Sequence, residues 1–102
     1  MKKMTRRHRF IHAFLSRCNL STFEMQVLLE TLDIKPGTTV TYKEMARHTG
    51  RERAYRAVGN ALNKNPLPIL IPCHRVVSGQ GTGGYKLGST LKKILLRLES
   101  LA

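Results

Sequence analysis

The stretch Thr41–Asn63, TYKEMARHTGRERAYRAVGNALN, decides the fold class of this chain. Thr41 can cap a helix over Tyr42–His48, in which Met45 and Ala46 face inward, and Gly50 breaks it. A second helix is predicted over Glu52–Asn63, where Ala54, Ala57, Val58, Ala61 and Leu62 recur at i, i+3, i+4, i+7 and i+8. Arg51, Arg53 and Arg56 surround its start. Two short helices joined by a tight glycine-containing turn, the second rich in small residues and fronted by arginines, read as a helix-turn-helix. The same pattern reads equally as a helical hairpin with a solvated charged face.

Upstream, Ser21 or Thr22 offers an N-cap for a helix over Thr22–Leu32, with Phe23, Val27, Leu28 and Leu32 at helical spacing. It ends before the turn Pro36-Gly37, after which Thr38–Val40 is extended. Residues 1–20 read as a basic arm with a short helical piece around Arg9–Arg17, and residues 21–102 as the folded domain. Downstream, Asn65-Pro66 and Pro68 stop the third helix, and Ile69–Ile71 form a short apolar strand or extended segment. Val76-Val77, the glycine-rich run Ser78–Gly84 and Tyr85 read as a hairpin able to serve as a wing. The glycines are not followed by the Lys-Ser/Thr of a phosphate loop, so a nucleotide site is not predicted. A last amphipathic helix, Ser89–Leu101, carries Leu91, Ile94, Leu95, Leu98 and Leu101 on its apolar face. The fold class expected is mainly α with a small β-hairpin, a winged helix-turn-helix DNA-binding domain.

At 102 residues, 41% hydrophobic and 24% charged, the chain has the size and composition of one soluble globular domain. No apolar run approaches the roughly 18 residues of a membrane span. The apolar piece behind the basic N-terminus is interrupted by His12 and followed by Arg17, unlike an export signal, so the expected location is cytoplasmic. In that reducing compartment the two cysteines, Cys18 and Cys73, are expected as thiols. Eighteen Lys and Arg against six Asp and Glu give a net charge of +12, which points to a polyanionic partner, nucleic acid before an acidic membrane.

The chemistry is concentrated in Pro72-Cys73-His74-Arg75, which follows the apolar segment Leu67–Ile71. A thiol reacts as its thiolate, and a neighbouring imidazole or guanidinium favours that form. Adjacency in sequence is not contact, and such a pair read alone is more often structural than catalytic.

Several separated pieces agree with one family. Thr22-x-x-x-Gln26-Val27, Pro36-Gly37, Thr41-Tyr42-x-x-x-Ala46, Arg56-Ala57-Val58-Gly59-x-Ala61, Asn65-Pro66-x-x-Ile69, Ile71-Pro72-Cys73-His74-Arg75-Val76-Val77, Gly83-Gly84-Tyr85 and Lys92-x-x-Leu95-Leu96-x-x-Glu99 stand in the order and spacing of the O6-alkylguanine-DNA alkyltransferases. The chain resembles that family over about residues 21–99. The resemblance implies a suicide repair protein that binds duplex DNA through the minor groove and rotates the damaged guanine out of the stack, a step that chemistry on a buried O6 requires. It implies Cys73 as the nucleophile, His74 as the base acting through a water, and Glu99 as the group that orients the imidazole. Asn65 would brace the turn around the site. Tyr42 would reach the flipped base, Arg56 would fill the gap it leaves, and Ala57 and Gly59 would let the helix approach a groove closely. Val76 and Cys73 would offer carbonyls to the guanine amine, Tyr85 and Lys86 would close the pocket, and Lys92 would stand beside that loop. Arg51, Arg53 and Arg75 are expected at the DNA.

The chain departs from the family pattern in three places. Only a basic segment of about 20 residues precedes the core where most members carry another domain, and the stretch Phe10, Ile11, Phe14, Leu15 is expected to cover apolar surface in its stead. Leu87 stands where glycine is usual, adding bulk beside the alkyl position. Tyr55 replaces a small residue and either touches the DNA backbone or packs inward. No clustered Cys and His remain to hold a metal, and neither a metal nor another cofactor is expected. A monomer acting on O6-alkylguanine duplex DNA is expected. The rival reading is a non-catalytic alkyltransferase-like protein that binds the lesion and recruits other repair factors. A winged-helix regulator would leave Pro72–Arg75 unexplained.

Overall fold

The structure, a computed structural model, describes residues 6–51, 53–78 and 88–101. Five helices and one small sheet make up these residues. Helix α2 (Thr22–Thr31) starts at a capping box: Ser21 Oγ accepts from the Glu24 amide at 3.1 Å and the Glu24 carboxylate accepts from the Ser21 amide at 2.8 Å. Of the two candidate caps, Ser21 takes the role. Val27, Leu28 and Thr31 point into the core, and the Thr31 hydroxyl donates to the Val27 carbonyl. Strand β1 (Val40–Thr41) runs directly into α3 (Tyr42–His48), capped by Thr41 through a second capping box with Glu44.

Helix α3 ends in a Schellman motif. Gly50 has φ +78, its N–H donates to Arg47, and the Arg51 N–H donates to Ala46. That arrangement holds Arg51 outside any helix, so α4 spans Tyr55–Asn63 rather than beginning at Glu52. Arg51 and Arg53 lie in the connecting turn, and only Arg56 of the three arginines is on the helix. Val58, Ala61 and Leu62 are buried, whereas Ala57, expected on the inner stripe, faces out. Helix α4 packs on both α2 and α3.

Strand β2 (Val76–Val77) pairs with β1 in parallel, in register Val40↔Val76 and Thr41↔Val77. The expected hairpin partner, like Gly83, Gly84, Tyr85, Lys86 and Leu87, lies outside the described residues. Ile69–Ile71 is a turn, not a strand: Ile69 has φ +76, the Ile71 N–H donates back to Leu67, and one isolated bridge joins Pro68 to Ile71.

Both ends of the chain depart from the sequence expectation. Helix α1 (Arg6–Ser16) starts before Arg9 and is packed, with Ile11 and Leu15 each 1% exposed in the same core as Val27, Leu28 and Val58. Phe10 and Phe14, expected to cover apolar surface, are 68% and 40% exposed. Helix α5 (Ser89–Ser100) turns most of its expected apolar face outward: Ile94, Leu98 and Leu101 are exposed, Leu91 and Leu95 are half-buried, and Lys92 is fully buried. Its inner stripe is Lys92, Leu95, Leu96 and Glu99, at i, i+3, i+4 and i+7.

Because α1 contributes to the common core, Ile11→Ala and Leu15→Ala should each lower unfolding free energy by about 2–5 kcal/mol. Phe10→Ala should change it by no more than about 0.5 kcal/mol. Denaturant titration of the three variants checks this, and equal small effects would mean that α1 is a loose arm.

Candidate active site around Cys73

The thiol sits at the head of a short 3₁₀ turn, Cys73–Arg75, between the Pro-rich turn 65–72 and β2. Pro72, at φ −78 and ψ 62, adopts an inverse γ-turn, closed by the Cys73 N–H on the Ile71 carbonyl at 2.7 Å. Asn65 secures the same carbonyl with its Nδ2 at 3.0 Å, while its Oδ1 accepts from the Leu67 N–H at 2.9 Å. Fully buried, Asn65 thus ties the end of α4 to the peptide next to the thiol. Cys73 itself is 4% exposed, and no disulfide joins it to Cys18.

His74, 1% exposed, places Nε2 at 2.9 Å from Glu99 Oε2. Glu99 also receives a two-point contact from Arg75, Nε to Oε1 at 2.9 Å and a terminal nitrogen to Oε2 at 2.6 Å. The remaining terminal nitrogen of Arg75 donates to the Ile34 carbonyl at 2.7 Å. The guanidinium hydrogen bonds, assisted by the contact from His74, hold the Glu99 carboxyl below its ordinary value against the opposing effect of burial. A carboxylate held ionised only accepts, so His74 Nε2 carries the N–H toward it, and in the tautomer this contact selects the lone pair falls on Nδ1.

Lys92 comes from the inner stripe of α5, two turns before Glu99. Its ammonium donates to the Val76 carbonyl at 2.6 Å and lies 5.8 Å from the centre of the Tyr42 ring. Burial pushes its pKa down to about 8, and the negative charge of Cys73 works in the other direction. The attraction is mutual: the buried ammonium favours the thiolate. Tyr42, the first residue of α3, also neighbours α4, where a methyl group on Gly59 would meet its ring at 4.0 Å, an ordinary contact. Packing against Tyr42 therefore does not require glycine at position 59.

Cys73, His74, Glu99, Asn65, Val76, Lys92 and Tyr42 thus converge from α3, the turn after α4, the 3₁₀ turn, β2 and α5. Arg56, Ala57 and Arg53 stand apart on the outer surface. Arg51 is exposed, with its guanidinium 5.2 Å over the Phe23 ring, and Tyr55 is also at the surface, with Lys43 6.0 Å from its ring. Among the described residues no group of three or more His, Cys, Asp or Glu side chains could hold a metal ion.

Against this geometry stand the similarities to known proteins. A family model described as 6-O-methylguanine DNA methyltransferase, DNA binding domain, matches residues 22–101. The chain belongs to this family. A methylated-DNA–protein-cysteine methyltransferase of Metallosphaera sedula is 51% identical over 81% of the chain and 52% of its own length. A second, from Methanocaldococcus vulcanius, is 47% identical over 81% and 50%. Among solved structures, Mycobacterium tuberculosis OGT in complex with DNA aligns with TM-score 0.78 at 39% identity, over 81% of this chain and 52% of that one. Schizosaccharomyces pombe Atl1, in complex with damaged DNA containing O6-carboxymethylguanine, aligns with TM-score 0.67 at 27% identity, over 79% and 78%. The chain spans about half the length of the curated relatives it matches.

Within the family frame two sequence expectations change. Arg75, expected at the DNA, is only 13% exposed, and its donors are committed to Glu99 and Ile34. Its place is inside the site, holding the carboxylate that holds the imidazole. The Val76 carbonyl, expected to face a guanine amine, accepts from Lys92 at 2.6 Å. The Arg75–Glu99 pairing went unread because nothing local joins residues 24 apart; the only sequence cue is that both ends fall on motif positions.

Glu99 contributes stability that is fully present above its ordinary value of 4.5 and is lost as pH falls through the lowered folded value. Glu99→Gln should therefore flatten the acid limb of the stability–pH curve. Arg75→Ala should cost roughly 2–4 kcal/mol at neutral pH, because it strands a partly buried carboxylate. Thermal denaturation from pH 3 to 8 checks both. An unchanged acid limb in Glu99→Gln would refute the assigned ion pair.

Proposed function

We propose that this chain repairs O6-alkylguanine in duplex DNA by moving the alkyl group irreversibly to Cys73. The observation that carries the reading is a buried thiol set beside a His74–Glu99–Arg75 relay and a buried ammonium, in a chain of the methyltransferase family. The thiol proton passes through a water to His74 Nδ1, and the thiolate sulfur attacks the alkyl carbon. The carbon–O6 bond breaks, its electron pair stays on the base, and a thioether remains on Cys73. The hydroxyl of Tyr42 assists departure by hydrogen-bonding the base as negative charge develops on it. No second substrate removes the alkyl group, so each molecule acts once, and no cofactor takes part.

The outer surface supports duplex DNA as the partner. Arg53, Arg56, Ala57 and Asn60 are exposed along one edge of the helix-turn-helix, on a chain of net charge +12. Glycine inside a helix costs about 1 kcal/mol relative to alanine, and among the described residues nothing packed at Gly59 requires its small size, which fits close approach to a groove. In this reading Arg56, exposed on α4, fills the stack when the base leaves through the minor groove. The chain acts as a monomer where the chromosome lies, at the nucleoid in the cytoplasm. The non-catalytic, lesion-binding reading has the likeness to Atl1 behind it, but it would leave Cys73, His74, Glu99 and Lys92 assembled without a task.

Mixing the protein with a duplex that contains O6-methylguanine should add one methylene mass, mapped to Cys73, with none added to Cys73→Ser. No adduct, or an adduct on Cys18, would overturn the reading. Arg56→Ala should slow transfer from the duplex far more than from the free modified base. Binding to duplex should weaken steeply with salt, the slope of log affinity on log salt being about −0.9 for each phosphate neutralised.

A further inference from the structure

Helix α1 lies before the family match, which begins at residue 22. What it touches therefore joins the matched residues to a segment outside them. Its inner face is anchored by Ile11 and Leu15 in the core and by His8 Nε2 on Asp33 Oδ1 at 2.9 Å. From that platform the Arg7 guanidinium donates to the Leu70 carbonyl at 2.7 Å, joining residues 63 apart.

Leu70 belongs to the turn that leads into Cys73; buried Asn65 and Ile71 anchor the ends of that turn, while its tip is held by hydrogen bonds. Ile69 and Leu70 are both exposed, and Ile69 occupies the left-handed region at φ +76, where a β-branched residue persists only if its surroundings over-determine it. The Leu70 carbonyl and the Ile71 N–H are the two ends of one peptide plane. Arg7 takes the first, and the Leu67 carbonyl takes the second at 2.9 Å. The following plane is held only through the Ile71 carbonyl, by Asn65 and the Cys73 N–H, because Pro72 has no N–H to give. Two consecutive peptide planes thus connect α1 to the thiol.

We propose that Arg7 is a positioning residue for Cys73. By gripping the 70–71 peptide plane, it fixes the turn that aims the thiol, and α1 is the brace that carries it. The effect on rate rests on the alkyl-transfer reading above; the effect on geometry does not.

The test compares the unaltered chain with Arg7→Ala, Arg7→Lys and Arg9→Ala, the last removing an exposed charge of the same helix. Single-turnover methyl transfer from an O6-methylguanine duplex is followed across DNA concentrations, and backbone amide exchange is read by NMR. Arg7→Ala should lower the saturating rate about tenfold, the scale of a slightly misplaced reacting group. Arg9→Ala should change only the DNA concentration needed for saturation, and Arg7→Lys, which keeps a donor, should recover most of the rate. Amides of Ile71 and Cys73 should exchange faster in Arg7→Ala while those of Val27 and Val58 stay protected, which separates loosening of the turn from unfolding. Unchanged exchange at Ile71 and Cys73 would overturn the proposal, as would a saturating rate no lower than that of Arg9→Ala. If the unaltered chain transfers no methyl group, the alkyl-transfer reading fails by itself, and the exchange of those two amides still decides the role of Arg7.

Discussion

The two-point contact between Arg75 and Glu99 is the interaction from which the rest of the site hangs. Arg75 also reaches the carbonyl of Ile34, just beyond α2, so one guanidinium joins the end of α2, the 3₁₀ turn and α5. Glu99, fixed in place and kept ionised, has one further job, which is to receive the His74 proton-bearing nitrogen. A carboxylate in a partly buried position is unfavourable unless its oxygens are occupied, and here the occupants are the residues that flank the thiol. Fold stability and imidazole orientation are consequently one constraint.

That constraint explains the division of labour between the two arginine sets. Arginines of the helix-turn-helix keep their charge at the surface, where it attracts a polyanion, whereas Arg75 gives up solvent for a planar fork on a carboxylate. A lysine at position 75 could not make the same fork. Lys92 is the complementary case, a compact ammonium satisfied by one carbonyl and an aromatic face and tuned by burial into the range where it can lose its proton.

Local rules made much of this legible. The capping boxes at Ser21 and Thr41 and the glycine stop at Gly50 are short-range chemistry, and they mark α2 and α3 to within a residue or two. The motif positions Cys73, His74 and Glu99 meet in space. On helix α5 amphipathic reasoning takes the inward stripe to be wholly apolar, which captures Leu95 but not its neighbours. Two of the four inner positions are Lys92 and Glu99, so Ile94, Leu98 and Leu101, which periodicity selects, lie outside. The partner of Val76-Val77 was missed for a different reason: a parallel pairing with Val40-Thr41 leaves no turn signal to find. Helix α1 was underrated because its arginines dominate the composition while only two side chains, Ile11 and Leu15, do the packing.

The spacing of Lys92 and Glu99 has a consequence for how this segment can change over time. Seven residues make two helical turns, about 10.5 Å of rise, and bring both side chains back to one face. Positions such as Lys93, Ile94, Arg97 and Leu98 can be exchanged freely as far as the site is concerned, since they point away from it. A single residue gained or lost between the two would swing Glu99 through about 100° and separate it from His74 and Arg75. The segment is permissive in content and rigid in length, so drift here should accumulate as substitutions and never as gaps.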